Sequence, residues 1–222
     1  MPKTKVIPDQ AGLKRVGEIV RNRLNSDPGI YRFDTDQAEM YALADFLTKA
    51  ECERLCMMID LVARPSTLHE ESYSSGFRTS YSGDLDPNNS FVRGISRRID
   101  DLMGVDSTIG EAIQGQRYQV GQEFKSHHDY FHTNQAYWKG ERKRGGQRSW
   151  TAMAYLNDVT EGGGTMFNKI GITVEPKPGV LLLWNNANPD GSPNSDTAHA
   201  GTPVVKGTKY VITKWYRTRR WT

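Results

Sequence analysis

RYQVGQEFKSHHD (117–129), read together with DTAHAGTPVVKGTKYVITKW (196–215), decides how this chain folds. In the first stretch His127 and Asp129 occupy alternate positions, and an extended backbone turns alternate side chains to one face. One strand end thus offers two metal ligands. HHDYFH contains rival histidines, but His128 must point away from Asp129, and His132 lies past the strand end, so His127 is the partner of choice. The second stretch supplies His199, then a strand on which Lys209, Val211, Thr213 and Trp215 alternate onto one face, bringing a cation to the same pocket. Two histidines and a carboxylate leave positions open on a six-coordinate ion. That ligand set suits non-haem Fe(II) with room for a cosubstrate and dioxygen.

The bounds outside these stretches are simple. A chain of 222 residues fits one domain and buries roughly 70% of its unfolded surface. Twenty-nine Lys and Arg against 26 Asp and Glu give a net charge of +3, too slight to argue for nucleic acid as the partner. There is no apolar run of membrane-spanning length, and MPKTKVIPDQAG lacks the apolar core of a signal peptide, so a cytoplasmic protein without a membrane partner is expected. Cys52 and Cys56 fall at helical spacing and read as buried small apolar groups rather than a bridge or metal pair.

Helical periodicity marks residues 11–25, with Leu13, Val16, Val20 and Leu24 on one face. A second helix starts at Thr48, where Glu51 completes a capping box, with Leu55, Cys56, Ile59 and Val62 inward. A third spans 90–103, with Val92, Ile95, Ile99 and Leu102 inward and Gly104 closing it. Beyond Asp106 the texture changes to short apolar or alternating runs at 112–120, 150–156, 165–168, 172–175, 179–184 and 209–216. Strand follows strand without helices between. The expected fold is α+β, mainly β: a double-stranded β-helix (jelly roll) with N-terminal and supporting helices packed on one face. Residues 1–42 read as an N-terminal helical extension packed on the core and 43–222 as a single globular unit. Long loops are expected at 66–89, where His69 reads as a surface histidine, and at 130–147. They are either lids over the site or plain mobile surface.

The ordered motifs FRTS (77–80), YxxGQxxxxHxD from Tyr118, QRSWTAMAYLNDVTEGGGTMF (147–167) and HAGxPVxKGxKYxxxKW from His199 resemble the prolyl 4-hydroxylase family of 2-oxoglutarate and Fe(II) dependent dioxygenases. The likeness covers residues 43–217. It implies His127, Asp129 and His199 as metal ligands and catalytic centre, Lys209 as anchor of the distal cosubstrate carboxylate, and Tyr118 and Thr213 as its hydrogen-bonding partners. Trp215 either walls that pocket or packs in the core. Arg78, Ser80 and Arg148 match residues that position a peptide, although an arginine on a strand flank is ordinarily solvated or salt-bridged. Asp196 either orients the His199 ring or caps its loop.

Implied cofactors are Fe(II), 2-oxoglutarate, O2 and, as an accessory, ascorbate; the implied partner is a proline-containing peptide or protein. The helix from Ala11 offers a surface for a homodimer, with the oligomeric state left open. Two departures stand out: His128 occupies the place of an aromatic residue, and Gly164 that of the second acid in EGGET. Rival functions are a nucleic-acid demethylase, supported by Arg142-Lys-Arg144 and Arg217-Thr-Arg-Arg220, and a jelly-roll binding module without turnover. Lysine as anchor and the FRTS motif favour the hydroxylase.

Overall fold

The computed structural model describes residues 7–67 and 76–222. In chain order the elements are α1 (Gln10–Asn25), β1 (Tyr31–Arg32), β2 (Met40–Leu43), α2 (Lys49–Val62), β3 (Arg64–Pro65), β4 (Tyr81–Asp84) and α3 (Ser90–Met103). Then come β5 (Gln114–Tyr118), β6 (Phe124–His127), α4 (Trp138–Arg144), β7 (Arg148–Tyr155), β8 (Glu161–Gly162) and β9 (Thr165–Phe167). β10 (Ile172–Val174), β11 (Leu181–Asn185), β12 (His199–Gly201), β13 (Val204–Lys206) and β14 (Lys209–Arg217) complete the chain.

The described strands form an eight-stranded sheet in the order β1-β2-β11-β7-β14-β5-β4-β3 and a four-stranded sheet in the order β10-β9-β12-β6, with β13 and β8 paired separately. Strand alternation divides the core in two. On β7, Trp150, Ala152 and Ala154 face α1, α2 and α3, whereas Met153 and Tyr155 face the second sheet. Leu181 and Leu183 of β11 take the helix side, and Leu182 and Trp184 the sheet side. This is the jelly roll with helices on one face.

Local signals act as expected at two helices. Thr48 and Glu51 close a reciprocal capping box on α2, and Asn89 caps α3, which ends at Gly104 with φ 66, a left-handed conformation that glycine adopts without Cβ strain. α1 has no side-chain cap. Asp9 instead accepts from the Gln147 amide and pairs with Arg219. Burial of Leu13, Val16, Val20 and Leu24, worth about 1.5–3 kcal/mol each, holds the helix down.

Several expectations change. Residue 42 falls inside β2, which pairs with β11, so the segment before it is not a helical extension alone but carries two strands of the main sheet. These strands are too short to show periodicity. The 130–147 stretch holds α4, which sequence missed because only Trp138 and Glu141 are buried. The 66–89 stretch carries β4, paired with β5; His69 lies outside the described residues. On α2 the inward face is Cys52, Leu55 and Ile59, while Val62 is exposed. Both cysteines are free.

Candidate active site

His127 ends β6, His199 begins β12, and antiparallel pairing sets the two directly opposite each other. Asp129 follows two residues on. His127 Nε2 lies 3.9 Å from Asp129 Oδ1, and His199 Nε2 3.8 Å from Asp129 Oδ2. The ligand atoms of this trio all lie within 4.8 Å of one another, a spacing that one ion can bridge.

Each ring is held from behind. Nδ1 of His127 donates to the Lys125 carbonyl at 2.8 Å, and Nδ1 of His199 to the Thr197 carbonyl at 3.0 Å, which turns both Nε2 lone pairs toward the centre. Phe124 stacks on His127 with centroids 3.6 Å apart, and Trp184 meets His199 edge-on. Burial, reinforced by His199, pushes His127 down to about 3, so it is neutral and able to ligate. For Asp129 burial acts upward, but His199, His127, Arg148 and the Thr151 hydrogen bond outweigh it and keep the carboxylate ionised. Thr151 donates to Asp129 Oδ2 at 2.7 Å and accepts from Asn186 at 2.9 Å, a relay that fixes the carboxylate plane. Two imidazoles and one carboxylate fit a divalent first-row ion.

Behind the trio a pocket receives Lys209, Val211, Thr213 and Trp215 of β14 together with Tyr118. Lys209 is 2% exposed. Among the described residues its ammonium has neither a hydrogen-bond nor an ion-pair partner; it lies 5.3 Å from the Tyr118 ring centroid and 5.6 Å from that of Tyr155. Burial lowers it to about 7, with Glu175 opposing. A buried cation without a counter-ion is costly until an anion arrives, which is the fit expected for a dicarboxylate cosubstrate. The Tyr118 hydroxyl donates to Gln116 at 2.8 Å, and the Gln116 amide donates to Thr213 at 3.2 Å.

On the other side of the trio a groove is lined by Arg78, Gln114, Tyr130, Tyr137, Arg148 and Trp215. Arg148 is held bidentately by Glu111 at 2.7 and 2.8 Å and lies 3.9 Å above the Trp215 ring. Trp215 therefore walls both cavities. Arg78 donates to Gln114 at 3.1 Å and to Ser80 at 3.0 Å. Ser80, 1% exposed, supports Arg78 and is not among the residues lining the groove.

Other readings are corrected here. Asp196 pairs with Lys169, while the Thr197 carbonyl orients His199 and Asn194 caps the local turn. His128 is half-buried, with Nε2 at 3.0 Å from the Ser195 carbonyl and its ring against Tyr130. At Gly164 a Cβ would meet Thr173 at 3.0 Å and Glu175 at 3.4 Å, so Glu175 brings a carboxylate to the place left by the missing acid. Sequence reasoning missed Gln116, Thr151, Glu111 and Asn186. Alternation could have flagged Gln116, which shares a strand face with Tyr118; the others come from distant elements.

The sequence model of the 2OG-Fe(II) oxygenase superfamily matches residues 113–217, the span from β5 to the end of β14. Probable prolyl 4-hydroxylase 8 of Arabidopsis thaliana is 33% identical over 205 residues, covering 80% of this chain and 68% of that protein. The viral collagen prolyl hydroxylase of Paramecium Bursaria Chlorella virus-1, solved with 2OG, superposes with a TM-score of 0.63 at 24% identity over 80% of this chain and 94% of that one. A Trichoplax adhaerens prolyl hydroxylase, in complex with a hypoxia inducible factor peptide fragment, gives 0.62 at 16% identity over 95% and 96%. These two share the fold. With the sequence identity to the plant protein and the assembled His-Asp-His centre, the chain belongs to the prolyl 4-hydroxylase family of 2OG-Fe(II) oxygenases.

Proposed function

We propose that this chain hydroxylates proline in a peptide or protein, consuming 2-oxoglutarate and O2 at an Fe(II) centre held by His127, Asp129 and His199. The observation that carries the proposal is the order of three sites along one wall: an unpartnered buried ammonium, the ligand trio, and a groove with two arginines. When bound, Fe(II) and 2-oxoglutarate supply an oxidation in which the cosubstrate is decarboxylated to succinate and CO2 and a C–H bond becomes C–OH.

The chain's own residues do the positioning. Lys209 neutralises the distal carboxylate of the cosubstrate, and Thr213, whose oxygen already accepts from Gln116, keeps its proton free for the same carboxylate. Tyr118 releases Gln116 to donate there as well. Phe124, Trp184 and Trp215 exclude water around the centre. Arg148, locked by Glu111, and Arg78, steadied by Ser80 and Gln114, present donors to peptide carbonyls. Ascorbate serves as an accessory reductant.

Anaerobic addition of Fe(II) and then 2-oxoglutarate produces a visible charge-transfer band that is lost in His127→Ala and weakened in Lys209→Ala. Proline-containing peptides then gain the mass of one oxygen under air, with ascorbate sustaining turnover. Absence of the band in folded parent protein sinks the cosubstrate site; modification confined to other residue types sinks the prolyl assignment.

A further inference from the structure

The wall of the peptide groove continues into a second, strongly basic groove. His132 and Tyr137 line the first, while Thr133, Gln135, Trp138, Lys139, Arg142 and Lys143 line the second, so the segment 132–138 is common to both. α4, with sequence WKGERKR, supplies most of the charge. Its one acid, Glu141, is buried and taken by Arg217 at 2.5 Å, leaving Lys139, Arg142, Lys143 and Arg144 exposed. Arg219 also lines this groove, where it is paired with Asp9, the acid there. Lys139, Arg142 and Lys143 have no carboxylate partner among the described residues. The surface is also fixed in place. Arg217 joins Glu141 of α4 to Glu111, and Glu111 grips Arg148 in the peptide groove, so the basic face and the substrate arginine share one buried ion network.

From this we infer that the second groove binds an acidic stretch of the substrate polypeptide, beside the residue that is hydroxylated. The inference rests on the peptide reading above and adds the substrate's charge. From Tyr137 to Lys143 the helix rises about 9 Å. An extended peptide covers that in about three residues. An acidic run of about three residues therefore spans this face. Single-stranded nucleic acid fits less well: it favours exposed aromatic platforms, and Trp138, the aromatic residue in this groove, is 8% exposed.

The test uses two fluorescent peptides that share a proline-containing segment and differ in ending in a run of glutamates or of glutamines. Their binding is read by fluorescence polarisation at low and high salt, against the parent and a Lys139→Glu/Arg142→Glu/Lys143→Glu variant whose fold is checked by circular dichroism. The acidic peptide binds the parent about tenfold more tightly at low salt, the sum of several exposed pairs, and the advantage shrinks at high salt. In the variant the preference vanishes or reverses. Equal binding by the parent, or a preference that survives in the variant, overturns the inference. Tighter binding of an oligonucleotide than of the acidic peptide, lost in the same variant, overturns it in favour of nucleic acid. Failure of every proline peptide to gain oxygen would remove the prolyl reading alone, because the polarisation preference is measured independently of turnover.

Discussion

Two lysines of β14, Lys209 and Lys214, are equally buried, each 2% exposed, yet their surroundings are opposites. Lys214 points to the helix side, where its ammonium meets Asp100 at 2.5 Å and Ser96 at 2.7 Å, and Tyr216 donates to the same carboxylate at 2.7 Å. Lys209 points to the other sheet, where no anion among the described residues bonds to it, although Glu175 acts on it from a distance. A buried charge that brings its partner is part of the scaffold; one that lacks a partner is an unfinished binding site. Burial lowers the affinity of both amines for a proton, but only for Lys214 does a neighbouring carboxylate, Asp100, offset that through a direct hydrogen bond.

The largest expected effect breaks the paired side. Asp100→Asn strands the Lys214 charge under α3 and destabilises the fold by about 3–5 kcal/mol, read by urea unfolding. If stability is unchanged, the pair is not structural. On the other side, Lys209→Met leaves the ligand-free melting temperature unchanged or raised, yet weakens 2-oxoglutarate binding about 100-fold, consistent with losing a charge-assisted contact. A large loss of stability would mean that Lys209 already has a partner.

The pH dependence separates the two further. With Lys209 lowered to about 7 in the fold from its ordinary value of 10.5, the unfolded chain binds more protons between these values. Ligand-free stability therefore rises with pH across that window, by up to about 1.4 kcal/mol per unit, and Lys209→Met abolishes this part of the slope. Cosubstrate affinity runs the other way, falling by up to about tenfold per unit above pH 7 as the ammonium is lost. The smallest effect is at Tyr118→Phe, which removes one hydroxyl and raises the KM for 2-oxoglutarate about 5- to 10-fold. An unchanged KM would show that Tyr118 stays with Gln116.

Much of the site was legible because strand alternation is a local rule. It selected His127 over His128 and placed Lys209, Val211, Thr213 and Trp215 on one pocket wall. The same rule turns Lys214 to the opposite face, but it could not say what lies there: α3 covers that face and brings Asp100 to the ammonium. Arg148 was recognisable as a residue of the groove, while its clamp, Glu111, lies across the sheet and left no mark at Arg148 itself. Asp196 was a natural choice to orient His199, yet a backbone carbonyl does it. Carbonyls carry no side-chain signature.

Sequence by itself determined what each short segment prefers: the capped helices α2 and α3, the shared faces of β14, and an HxD pair at a strand end. These follow from the fixed periods of helix and strand and from side chains bonding to their own backbone. Tertiary structure decided which faces meet. It set His199 opposite His127, gave Asp100 to Lys214 and left Lys209 without a bonded anion among the described residues, because those contacts join residues far apart in the chain whose encounter depends on how the two sheets and the helices pack.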